Sequence, residues 1–111
     1  MSMNVINEKN AQFLVKKKQY HILFINSPFC GTCKVAKRML LYLEDTLEDN
    51  KFYELNGLTA PDFLQQYSIM SVPCLMVFKD GQPVDRIYTF HSVPYLLKEL
   101  GPYLVTEKNK I

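Results

Sequence analysis

The chain has 111 residues, 48% of them hydrophobic, and a formal net charge of +2; that suits one compact domain with a single core and leaves no material for a second. So small a charge gives no electrostatic case for nucleic acid, and the two basic clusters, Lys16-Lys17-Lys18 and Lys108-Asn109-Lys110, read as solvated surface. No stretch approaches the roughly 20 apolar residues of a membrane helix, and the polar start from Met1 to Lys9 lacks the pattern of a secretion signal. One domain over residues 1–111 in the cytoplasm is expected, with neither nucleic acid nor membrane as partner.

The first element is a helix predicted over Asn7 to Lys18, with Ala11, Leu14 and Val15 toward the core. It leads into an apolar strand, Tyr20 to Ile25, which Asn26-Ser27-Pro28 ends. A long helix starts at Cys30: Val35, Met39, Leu43 and Leu47 recur every fourth residue, and Ala36 and Leu40 widen the buried stripe. Phe52 to Asn56 reads as a short strand, and Thr59 with Pro61 supplies the N-cap and first turn of a short helix ending at Tyr67. The apolar run Leu75 to Phe78 is a strand, Asp80-Gly81 a tight turn, and Val84 to Tyr88 the returning antiparallel strand. Ser92 caps a last helix that turns Leu96, Leu97 and Leu100 inward before Gly101-Pro102 interrupts it. Helices and strands in alternation, then a hairpin, imply an α/β fold: a mixed sheet of four to five strands with helices on both faces.

Chemistry concentrates in Phe29-Cys30-Gly31-Thr32-Cys33-Lys34. Disulfides are attacked by thiolates, and the unpaired N–H groups of a helix's first turn favour negative charge on Cys30. Lys34 and Lys37 add positive charge nearby. A fall in the Cys30 pKa from about 8.5 to about 7 would raise the thiolate fraction at neutral pH from a few per cent to roughly half. Cys33, one turn further in and less exposed, suits the resolving thiol. In a reducing compartment three cysteines make no disulfide framework. Zinc needs four ligands, and the chain lacks both a second Cys-x-x-Cys and a His pair at metal spacing, His21 and His91 being isolated. Met39, Met70 and Met76 read as core or groove lining.

These motifs together resemble the thioredoxin family over nearly the whole chain. Phe29 to Lys34 stands where that family has aromatic-Cys-Gly-Pro-Cys-Lys; Tyr67-Ser68-Ile69-Met70-Ser71-Val72-Pro73 resembles its segment ending in a cis-proline, and Val77-Phe78-Lys79-Asp80-Gly81 its following strand and turn. The resemblance implies the thioredoxin-like fold and a cis Val72-Pro73 peptide packed against the cysteine pair, with the Val72 backbone open to a substrate strand. It also implies a substrate groove formed by Phe29, Gly31, Thr32, Val72 and Pro73, with Thr89 and Phe90 completing an apolar rim.

Five positions depart from the family pattern. Phe24 stands where the family buries an Asp that helps move the proton of the buried thiol, and Glu54 stands where it has a Lys. Glu54 is then either a substitute base or a solvated residue at the strand end. Thr32 replaces the family's proline and Thr89 its glycine, altering the redox poise and narrowing the groove. Cys74, directly after Pro73, is either a small packed residue or a third redox thiol. In the second case it could join Cys30 and Cys33 in a metal or iron–sulfur site completed by a second chain or a small thiol.

The reading that follows is a dithiol–disulfide oxidoreductase acting on protein or small-molecule disulfides: Cys30 attacks, Cys33 resolves, and a reductase or low-molecular-weight thiol restores the pair. It requires no metal and no organic cofactor. The competing reading is a binding module of the same fold that holds a partner in the Val72-Pro73 groove, its cysteines serving no turnover.

Overall fold

The computed structural model describes residues 3–47 and 52–104, so the Lys108 to Lys110 cluster lies outside the described residues. Its elements are β1 (Asn4–Ile6), α1 (Glu8–Leu14), β2 (His21–Asn26), α2 (Gly31–Thr46), β3 (Phe52–Asn56), α3 (Pro61–Gln66), β4 (Cys74–Lys79), β5 (Gln82–Ile87) and α4 (Val93–Leu100). Short 3₁₀ turns follow β3 and α4. The strands form one five-stranded sheet in the order β1-β3-β2-β4-β5, with β1, β3 and β2 parallel and β4 and β5 antiparallel.

Alternation along the two central apolar strands builds a core on each face of the sheet. Ile22 and Phe24 of β2 and Leu75 and Val77 of β4 meet Ala36, Leu40 and Leu43 of α2 and Leu96 and Leu100 of α4. Leu23, Ile25, Cys74, Met76 and Phe78 point the other way, toward Ala11 of α1 and Phe63 of α3. Every residue of β2 except its last is buried, which is why it reads as a continuous apolar run. The two-residue turn after β4 has both Asp80 (φ 55°) and Gly81 (φ 81°) in the left-handed region, the geometry that an Asp-Gly pair serves best.

Several sequence expectations are corrected. Helix α1 stops at Leu14 rather than Lys18, because the carbonyls of Val15 and Lys17 accept the N–H groups of Gly81 (2.8 Å) and Asp80 (3.0 Å), tying the chain to the hairpin turn. The buried stripe of α2 is Cys33, Ala36, Leu40 and Leu43; Val35 is 50% exposed, since a strict every-fourth series drifts around a helix of 3.6 residues per turn. Leu97 likewise points outward at 44% exposure, while Leu96 and Leu100 are fully buried. Thr59 does not cap α3: Ala60 occupies the N-cap without a side-chain bond, and Glu8 of α1 accepts the Phe63 N–H at 2.8 Å instead. Strand β1 escapes sequence reading because three residues, two of them exposed, carry no periodicity, and its place comes from pairing with β3. Ser92 caps α4, accepting the Tyr95 N–H at 3.2 Å.

Candidate active site

The break after β2 and the start of α2 place the thiol pair at the C-terminal end of the sheet's central strand. The Cys30 N–H donates to the Ser27 carbonyl (3.2 Å) and the Phe29 N–H to the Ser27 hydroxyl (3.3 Å), so the turn into the helix is tied locally. Cys30 is itself the N-cap of α2, and its Sγ accepts the Cys33 N–H at 3.3 Å. The Thr32 hydroxyl lies 3.2 Å from the same sulfur, and the Cys30 thiol faces the Val72 carbonyl at 3.9 Å. Hydrogen bonding from the Cys33 thiol and then from Thr32 holds the Cys30 pKa below the ordinary thiol value. The lysine contribution expected from sequence is not among the causes, and Lys37 is engaged elsewhere.

Cys33 is only 1% exposed, and burial, reinforced by its hydrogen bond to Cys30, pushes its pKa up to about 11. The two sulfurs are thus opposite in character: one partly exposed and acidic, the other buried and held protonated. Beside Cys33 opens a cleft of about 370 Å³ lined by Asn26, Ser27, Pro28, Lys34, Lys37, Glu54 and Asn56. Glu54 pairs with Phe24 in the parallel register of β2 and β3, and it is 8% exposed, so the solvated strand-end reading is wrong. Its carboxylate accepts the Asn26 amide at 2.7 Å and meets the Lys37 ammonium at 3.1 Å.

Of the residues expected to form the groove, Phe29 is 88% exposed, Gly31, Thr32 and Thr89 are exposed, and Val72 and Pro73 are half-buried, the peptide between them being cis. A second, apolar pocket of about 190 Å³ is lined by Ser27, Gly57, Leu58, Leu64, Ile69, Met70, Ser71 and Val72. Phe90 does not form a rim: it is buried edge-on against Phe24 with ring centroids 5.9 Å apart, because the aromatic ring at position 24 recruits it into the core. Cys74 is fully buried among the side chains facing α1 and α3, whereas Cys33 belongs to α2 across the sheet, so the third thiol is separated from the pair by the sheet itself. Burial raises its pKa to about 11. Among the described residues no group of three or more His, Cys, Asp or Glu is placed to hold a metal. Sequence reasoning missed Asn26, whose only signal is its place at the end of β2, and it missed the partnership of Lys37 with Glu54.

An α/β sheet presenting an acidic thiol at a helix N-terminus and a protonated one a turn later defines a dithiol–disulfide exchange domain. The family model described as Thioredoxin matches residues 2–99, and the chain belongs to the thioredoxin family. It is 46% identical over 76 residues to the thioredoxin-like protein YusE of Bacillus subtilis (strain 168), an alignment covering 68% of this chain and 72% of that one. It is 35% identical over 77 residues to thioredoxin of Staphylococcus aureus, covering 68% and 74%. The fold is similar to that of mitochondrial thioredoxin 3 from Saccharomyces cerevisiae in its oxidised form, with a TM-score of 0.75 and 21% identity over 90% of this chain and 94% of that one. The protein is a thiol–disulfide oxidoreductase of this family. No helix of the described residues is long and apolar enough to cross a membrane.

Proposed function

We propose that Cys30 is the nucleophile and Cys33 the resolving thiol in the reduction of protein and small-molecule disulfides. The Cys30 thiolate attacks one sulfur of the substrate; that S–S bond breaks, a Cys30–substrate disulfide forms, and the departing thiolate takes up a proton. Cys33 then loses its proton and attacks Cys30 Sγ, the mixed disulfide breaks, and the second substrate thiol leaves. Two electrons have passed to the substrate, and the Cys30–Cys33 disulfide is returned to the dithiol by a reductase or a low-molecular-weight thiol. The observation that carries this reading is the asymmetry of the sulfurs: Cys30 receives hydrogen bonds at the surface, while Cys33 is buried with its pKa at about 11.

Glu54 fits the role of acceptor for the Cys33 proton, since both residues line one cleft with room for a bridging water. Phe29, Gly31 and Thr32 flank Cys30 along the chain, Val72 offers its carbonyl beside the sulfur, and Pro73 and the exposed Thr89 complete the set. We assign these residues to substrate contact. The cytoplasm is the proposed site of action, because thiols stay reduced there.

Reduction of a disulfide-bonded protein, with dithiothreitol as donor, tests the roles. Cys30→Ser is expected to abolish turnover, and Cys33→Ser to stop after the first step with substrate trapped on Cys30. Trapping through Cys33 in the Cys30→Ser protein would reverse the assignment.

A further inference from the structure

The turn just before Pro73 is held by Arg86 of β5 and by Tyr88 just past the strand's end, two residues that none of these steps uses. Helix α3 ends with the Ile69 N–H donating to the Leu64 carbonyl (2.8 Å) and the Ser68 N–H to the Gln65 carbonyl (3.2 Å). That pair of bonds places a left-handed residue, usually glycine, directly after the helix. Here the position is Ser68, at φ 53°. The next two free carbonyls are met by one side chain: the Arg86 guanidinium donates from Nη2 to the Tyr67 carbonyl at 2.6 Å and from Nη1 to the Ser68 carbonyl at 2.8 Å. Tyr88 accepts the Met70 N–H on its hydroxyl at 3.0 Å, and that hydroxyl lies 3.5 Å from Arg86 Nη1. Through these bonds Arg86, in β5, and Tyr88, one residue past its end, together fasten the segment from Tyr67 to Met70 to the sheet.

What this segment carries is substrate surface. Met70, Ser71 and Val72 follow at once, lining the apolar pocket and bringing the Val72 carbonyl to 3.9 Å from Cys30 Sγ. We propose that Arg86 and Tyr88 are positioning residues for substrate recognition, holding the 67–70 turn so that the Val72 edge and the apolar pocket stand ready beside Cys30. This rests on the assignment of Cys30 and Val72 above and extends it to a peptide that lies along residues 70–72 with an apolar side chain in the pocket. Neither residue touches a reacting atom. Their loss therefore lowers the fraction of molecules in the binding-competent form, and apparent affinity falls by that fraction while the chemical step is unchanged.

Two substrates separate these effects: an extended peptide disulfide with apolar neighbours, and a small aromatic disulfide that meets only Cys30. Arg86→Ala is expected to raise KM for the peptide about tenfold, the size of one charge-assisted hydrogen bond read as an equilibrium, with kcat and the small-disulfide rate within about twofold of wild type. Arg86→Lys, which cannot fork across two carbonyls, should follow it. Tyr88→Phe is expected to raise the same KM about threefold. Adding Ser68→Gly to Arg86→Ala should restore most of the affinity, because glycine holds a left-handed turn without the clamp. An unchanged peptide KM in Arg86→Ala and Tyr88→Phe, or equal slowing with both substrates, overturns the proposal; should Arg86→Ala not fold, Tyr88→Phe decides it alone. Failure of the wild-type protein to reduce either disulfide would instead refute the Cys30 assignment, and is visible before any variant is made.

Discussion

Replacing Glu54 by Gln keeps its shape and its ability to accept from Asn26, but removes the charge that Lys37 meets at 3.1 Å and the capacity to take up a proton. The effect should register on Cys33. With a pKa of about 11, raised first by burial and then by the hydrogen bond to Cys30, about one molecule in 10⁴ carries the Cys33 thiolate at pH 7. In the mixed disulfide Cys30 no longer ionises, yet burial, the larger cause, persists. Unaided resolution therefore rises about tenfold per pH unit until about pH 11, whereas a base in the same cleft flattens that slope. General bases contribute about 10²- to 10⁴-fold, and the lower end is taken here. The assay is a single turnover: Cys30 is loaded with a coloured aromatic thiol, and its release is followed as Cys33 closes the disulfide from about pH 6 to about pH 10. Glu54→Gln is expected to slow release about 10²-fold at neutral pH, to steepen the profile, and to converge on wild type at the alkaline end. A profile superimposable on that of wild type refutes the proton role.

Thr32→Val removes the hydroxyl 3.2 Å from Cys30 Sγ at nearly constant volume. Cys30, held acidic by Cys33 and then by Thr32, should then titrate at higher pH and alkylate more slowly at neutrality, as iodoacetamide rates across pH will show. Cys74 titrates in the opposite sense: burial raises its folded pKa to about 11, so the stability this confers is complete below about pH 9 and is lost, by about 3 kcal/mol at most, as pH rises to about 11. Urea unfolding should find Cys74→Ala about 1 kcal/mol less stable than wild type at neutral pH, with the gap closing above about pH 9 and the order reversed by about pH 11. Leu40→Ala, which empties a fully buried site under α2, should cost about 3 kcal/mol, against less than about 0.5 kcal/mol for the exposed Val35→Ala.

The dithiol was legible because its chemistry is local: two sulfurs three residues apart, between an apolar strand and a helix, meet across a single turn whatever the rest of the chain does. The strands β2 and β4 were legible for a related reason, since burial on both faces leaves an unbroken apolar run. What stayed hidden depends on register. Glu54 looks like any strand-end carboxylate until the parallel pairing sets it beside Phe24 and under Lys37, and Phe90 looks like a loop aromatic until Phe24 draws it inward. The same parity decides Cys74, which one step along β4 would have turned toward α2. Arg86 is the extreme case. Its partners are the backbone carbonyls of Tyr67 and Ser68, groups every residue possesses, so no side chain in the sequence advertises the contact. A residue type records the reacting groups of this site, and only the tertiary register records the groups that hold them in place.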